Sequence, residues 1–160
     1  MRRRQIRKSA EACTERPYYD TRMPLRQDAK IELIRSVPLF SSCSKRELAE
    51  IASMADELDF PEGKTLIKEG ERGREFLVLV EGTVEVSRKG RKLAPLGRAD
   101  CIGEIALVLD VPRTATVATT SPVRALVLTN QSFQSLLERS PQIQLKIIRS
   151  LAERLAPEIV

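Results

Sequence analysis

The sequence contains no histidine. That absence excludes His-based catalytic triads, His₂ or His₃ metal centres and imidazole proton shuttles. Cysteine is scarce: Cys13, Cys43 and Cys101 lie far apart, with no C-x-x-C pattern. An odd count at that spacing argues against a disulfide framework or a zinc site, and for a reducing, cytoplasmic compartment. No cofactor or metal is expected. Long apolar runs are also missing; none approaches the roughly 20 residues that span a bilayer. The opening Met1-Arg2-Arg3-Arg4-Gln5 is not followed by the apolar core of a secretory signal. The chain is therefore expected not to span a membrane.

What is present is an ordinary globular composition with an uneven charge. A length of 160 residues suits one domain with a real core plus a tail or lid. Of its formal charge of +5, all falls in residues 1–30, which hold nine Lys or Arg against four acids. The remaining residues hold eighteen of each sign and are neutral. Residues 1–28 lack an apolar period and carry Pro17 and Pro24. They read as a basic arm, flexible or partly helical, suited either to an acidic surface or to plain solvation. Residues 29–157 read as the folded domain and 158–160 as a short tail.

Along the folded part, Ala29 to Arg35 reads as a short helix with Ile31 and Ile34 on one side. Pro38 keeps the apolar Val37-Pro38-Leu39-Phe40 from continuing it. Ser44 followed by Glu47 has capping-box spacing and opens a helix with Leu48, Ile51, Ala52 and Ala55 as its stripe. From Asp59 the period shortens. Strands are expected at 65–68, 75–80, 83–87, 92–96, 115–119 and 124–128, within a total of seven or eight, bounded by Gly and Pro turns. Thr129 or Asn130 then caps a helix carrying Phe133, Leu136 and Leu137. Pro141 opens a last helix with Ile143, Ile147, Ile148, Leu151 and Leu155 as its stripe. This is an α+β, mainly β, pattern: a jelly roll or closed barrel between two sets of helices.

Residues 103–117 stand out chemically. Gly103 and Glu104 are followed by the small apolar run Ile105, Ala106 and Leu107. Nine residues after the acid comes Arg113, between Pro112 and Thr114, and Ala115 leads back into strand-like residues. A short helical turn followed by a single cation suits a small anion with a neighbouring hydroxyl.

With those residues in place, the chain resembles the cyclic nucleotide-binding domain family over about residues 30–156. Val37-Pro38-Leu39-Phe40 is similar to the family's lead-in to its first helix. Glu69-Gly70-Glu71-Arg72-Gly73-Arg74-Glu75-Phe76 is similar to its glycine-acid turn, and Val80-Glu81-Gly82-Thr83-Val84 to the step that follows. Gly103-Glu104-Ile105-Ala106 with Pro112-Arg113-Thr114-Ala115 resembles its phosphate-binding cassette. One departure is Ile102, where the family commonly has an aromatic before the cassette glycine.

The resemblance implies a double-stranded β-helix flanked by N-terminal helices and C-terminal B- and C-type helices. It implies Arg113 on a cyclic phosphate and Glu104 on the ribose 2′-OH. Backbone N–H groups of Ala106 and Thr114, and the Thr114 hydroxyl, would add phosphate contacts. Gly103 would let the backbone approach the sugar, with Ile105 and Ala115 completing the cassette. The final helix would close over the base, with Arg154 as its contact and Leu151 or Leu155 as alternatives. The expected ligand is cyclic AMP in preference to cyclic GMP, in a stand-alone sensing module acting on a protein effector.

Two other readings remain. One is an interaction module of the same fold, with Glu104 and Arg113 as a structural pair, acting through the basic arm without a ligand. The other is an enzyme, for which one carboxylate beside an arginine is poorly tuned.

Overall fold

A computed structural model describes residues 23–155, without the side chains of Ile105, Arg154 and Leu155. Most of the expected basic arm, Cys13 and the tail at 158–160 lie outside the described residues. Helix α1 spans Gln27–Arg35, two residues longer at its start than its apolar spacing indicates, and buries Ile31, Leu33 and Ile34. A 3₁₀ turn, Pro38–Phe40, follows with Pro38 at its first position. Helix α2 spans Lys45–Met54 behind the expected capping box. The Ser44 hydroxyl accepts from the Glu47 N–H at 3.2 Å, and the Glu47 carboxylate accepts from the Ser44 N–H at 2.8 Å. Two orphan donors of the helix start are thereby satisfied.

Eight antiparallel strands among the described residues form two four-stranded sheets. They are β1 Asp56–Phe60, β2 Thr65–Ile67, β3 Glu75–Glu81, β4 Val84–Arg88, β5 Arg91–Leu96, β6 Cys101–Ile102, β7 Thr116–Thr119 and β8 Val123–Thr129. One sheet runs β1-β8-β3-β6 and the other β2-β7-β4-β5. Helices α3 (Asn130–Arg139) and α4 (Pro141–Leu155) close the described chain. The Thr129 side chain caps α3 by accepting from the Ser132 N–H at 3.1 Å. The jelly-roll expectation, with helices on either side in sequence, is met.

Strand β3 belongs to two cores at once. Phe76, Val78 and Val80 face the helices, whereas Leu77 and Leu79 face the roll interior. The helix-side core is centred on Phe40, whose ring meets Phe76 edge-on at 6.1 Å and Phe133 at 5.7 Å. The roll interior is aliphatic: Ile67, Val84, Val117, Val123, Ala125 and Val127. Burial on both faces makes β3 a continuous apolar run instead of an alternating one.

Three features depart from the sequence pattern. Strand β1, Asp-Glu-Leu-Asp-Phe, carries three acids and is not among the strands expected from the sequence, but it pairs with β8. Two of these acids are matched from across the ladder: Arg124 Nε donates to Asp59 Oδ1 at 2.9 Å, and its Nη1 lies 3.5 Å from Glu57 Oε1. Strand β6 has only two residues and no period to read. Ile148, placed by the sequence on the buried stripe of α4, is 61% exposed. Ile147 and Ile148 stand about 100° apart on a helix, so only one can share the face of Ile143, and Ile147 takes it.

Candidate ligand-binding site

Residues 101–117 are positioned by both sheets and by α3. Strand β6 pairs Ile102 with Leu77 of β3, which delivers Gly103 to the cavity wall with φ +78. The 3₁₀ turn Glu104–Leu107 follows. Its first closing bond runs from the Ala106 N–H to the Gly103 carbonyl at 3.1 Å. The far end is held from α3: Asn130 Nδ2 donates to the Ala106 and Leu107 carbonyls at 2.7 and 3.1 Å, and Gln134 Nε2 to Leu107 at 3.0 Å. These side chains satisfy carbonyls that so short a helix leaves open.

The loop back to β7 is zipped to the turn before β3. The Gly70 N–H donates to the Arg113 carbonyl at 2.9 Å, and the Arg113 N–H to the Glu71 carbonyl at 2.9 Å. An exposed pair, Arg72 with Asp110 at 3.0 Å, adds little on its own. The zip turns the Arg113 side chain inward, where only 8% of it is exposed. Its Nη2 donates to the Glu75 backbone carbonyl at 2.5 Å, with the Glu75 carboxylate 3.9 Å away.

Two glycines make room for this guanidinium. A Cβ added at Gly73 would overlap Nε, Cζ and Nη2, and one at Gly103 would overlap Nη1. The cation therefore occupies space that any other residue at either position would fill. Burial pushes the Arg113 pKa down from its ordinary value, and Glu75 partly opposes this. An arginine so placed remains a cation.

A cavity of about 280 Å³ opens here, lined by Cys101, Gly103, Glu104, Val111, Pro112, Arg113 and Thr114. The Cys101 thiol sits 4.0 Å from Glu104 Oε2. A second cavity of about 240 Å³ shares Cys101, Gly103, Arg113 and Thr114. It continues over Ile67, Val86, Leu96 and Val117, with Arg88 and Ala115 also on its wall. One compartment thus holds the buried cation and Glu104, and the adjoining one is floored by aliphatic side chains of the roll.

The structure brings Gly103, Glu104, Arg113 and Thr114 together around one cavity and adds Ala115 from the next. Ala106 lines a different hollow, with Gly73, Arg74, Asp110 and Asn130. The backbone of Ile105 lies in the 3₁₀ turn, and the side chains of Ile105, Arg154 and Leu155 are outside the described residues. Leu151 is half-buried against the helix-side core, and among the described residues none of α4 lines either of the two adjoining cavities. Sequence reasoning missed Gly73, Glu75 and Arg88. The quoted 69–76 turn contains the first two, but its role as the seat of Arg113 is a tertiary contact with no local signal.

Comparison with known proteins agrees with this architecture. The sequence model of the cyclic nucleotide-binding domain matches residues 57–140. A CRP-like cAMP-activated global transcriptional regulator of Mycobacterium tuberculosis is 29% identical over 129 residues, covering 78% of this chain and 58% of that protein. A cAMP-dependent protein kinase regulatory subunit of Mycosarcoma maydis is 34% identical over 115 residues, covering 66% of this chain and 22% of that protein. The chain thus spans less than two thirds of the length of these relatives. Among solved structures, the N-terminal domain of a transcriptional regulator from Streptomyces coelicolor A3(2) superposes with a TM-score of 0.75 at 30% identity. That match covers 79% of this chain and 94% of that one. With its two-sheet roll, flanking helices and inward arginine, the chain belongs to the cyclic nucleotide-binding domain family.

Proposed function

We propose that the chain is a sensor module that binds a cyclic nucleotide, cyclic AMP in preference to cyclic GMP, and passes the binding event to a protein partner. The observation that carries this reading is Arg113: a cation with 8% exposure, seated between two glycines on the wall of a 280 Å³ cavity that also holds Glu104. A cyclic phosphodiester has one negative charge, which one planar guanidinium matches with two parallel hydrogen bonds. A carboxylate is a fitting acceptor for the ribose 2′-hydroxyl. Thr114 and Gly103 would complete the contacts. The Ala106 N–H, already bonded to Gly103, would reach a phosphate only as a shared donor.

The preference for cyclic AMP is supported by two relatives, a cAMP-activated regulator and a cAMP-dependent kinase regulatory subunit. Both are regulators, and the chain has no histidine, so the reading is a binding module and not an enzyme, with the nucleotide as ligand and no cofactor. Residues 29–157 would form the binding domain. Its last helix, α4, would swing its C-terminal half, including Arg154, over the base. Such a shift can be driven only by the ligand's stronger binding to the closed state. The basic arm, residues 1–28, would be a weak attachment to an acidic surface. The cysteine usage supports a cytoplasmic location, and no helix among the described residues is long and apolar enough to cross a membrane.

Titration calorimetry with cyclic AMP, cyclic GMP and 5′-AMP tests the reading. Saturable heat with a cyclic nucleotide, weak or absent with 5′-AMP and lost in Arg113→Ala, is the expected result. No heat with either cyclic nucleotide overturns it and leaves the ligand-free interaction module.

A further inference from the structure

The aliphatic cavity has an unusual wall residue. On β4, the alternation Val84, Val86, Arg88 puts all three on the face that looks into the roll: Val84 is fully buried, and Val86 packs on the interior cluster. Arg88 is thus a charged residue at an inward position, at the mouth of the cavity floored by Ile67, Val86, Leu96 and Val117. Its Nε donates to the Thr114 carbonyl at 3.0 Å. Among the described residues that is its one hydrogen bond, and no acid pairs with it. Directly across the hairpin stands another cation, Arg91, and like charges opposite one another destabilise a strand pair. An inward arginine pinned at one nitrogen, facing a like charge and lacking a counter-ion, is poorly explained as scaffold.

We infer that Arg88 stacks on the base of the bound nucleotide from the roll and selects for purines. This rests on the binding proposed above. With the phosphate on Arg113, an attached base extends into the aliphatic cavity, whose floor offers one apolar face. The other face of the ring needs a cover. A guanidinium is planar, delocalised and weakly hydrated, and stacks well on aromatic rings. The bond from Nε to Thr114 anchors the guanidinium beside the phosphate site and, among the described residues, leaves both terminal nitrogens without partners.

The test compares the unmodified chain with Arg88→Ala and Arg88→Lys, using displacement of a fluorescent cyclic nucleotide by cyclic AMP, cyclic GMP, cyclic CMP and cyclic UMP. Arg88 is exposed, so melting temperatures should be unchanged. Loss of stacking in Arg88→Ala should weaken both purine ligands about tenfold, and both pyrimidine ligands less than about threefold. Lysine keeps the charge and lacks the planar face, so Arg88→Lys should fall between. Equal loss for purines and pyrimidines would mean that Arg88 merely steadies Thr114, and would overturn the inference while leaving nucleotide binding intact. Unchanged affinity would also overturn it. If the unmodified chain binds none of the four, both the inference and the reading beneath it fail.

Discussion

The guanidinium of Arg113 is held by the main chain of Glu75, Nη2 to carbonyl oxygen at 2.5 Å, and only distantly by its carboxylate. One end of the side chain is thereby fixed, while Nη1 lies against Gly103 at the cavity wall. The planar fork is what makes this double use possible. Arg113→Lys should keep the charge, lose the fork and weaken cyclic AMP binding by roughly 100-fold, the scale expected when a buried charged hydrogen-bond pair is broken. Calorimetry reads this directly, and a loss under threefold would show that charge alone suffices.

Gly73→Ala places a methyl group where the guanidinium sits. Arg113 must then leave its seat, so affinity should drop nearly as far as in Arg113→Ala. In the double variant Gly73→Ala/Arg113→Ala the two losses should not add, because the methyl group no longer meets anything. Additive losses in the cycle would show that Gly73 acts through some other contact.

Glu47 joins α2 to α4 through Lys146, whose ammonium donates to Oε1. Burial alone would raise its pKa, but hydrogen bonds from Lys146 and from the Ser44 backbone and side chain outweigh it and hold the carboxylate below its ordinary value. The folded state thus binds this proton less readily than the unfolded chain. The stabilisation is present above the unfolded pKa, roughly 4.3, and is lost as pH falls through the folded value. Glu47→Gln should be less stable than the unmodified chain at pH 6, and the gap should narrow below about pH 4. Melting temperatures across that range check it; a gap that widens in acid would contradict the assignment.

Cys43 lies one residue before the α2 cap and is 8% exposed. Burial, and then the nearby Glu47 carboxylate, push its thiol up to about 11, with Lys146 pulling slightly the other way. Thiolate is the reactive form. At pH 8 the folded chain should leave Cys43 unalkylated by iodoacetamide, and denaturant should expose it. Peptide mass mapping separates it from Cys13 and Cys101.

Much of this architecture was readable in the sequence because its signals are local. The Ser44–Glu47 box, Pro38, Pro141 and the glycine turns each fix an element boundary within a few residues. The spacing of Gly103, Glu104, Arg113 and Thr114 placed them around one cavity for the same reason: a short turn and a loop cannot carry them far apart. What the sequence hid is non-local. Glu57 and Asp59 of β1 sit in a strand ladder where Arg124 pairs with both from β8, 65 positions away from Asp59. Gly73 and Glu75 look like ordinary turn residues until Arg113 folds against them. Ile148 is equivalent to Ile147 by composition, and only packing decides which of the two goes inside.

A seat made from a carbonyl oxygen and two missing side chains has a genetic signature of its own. In an exhaustive substitution library selected for nucleotide binding, position 75 should accept many residues, since every residue offers the same carbonyl. Positions 73 and 103 should accept glycine alone. The residue that visibly touches the arginine would be the permissive one, and the two that contribute no side chain would be fixed.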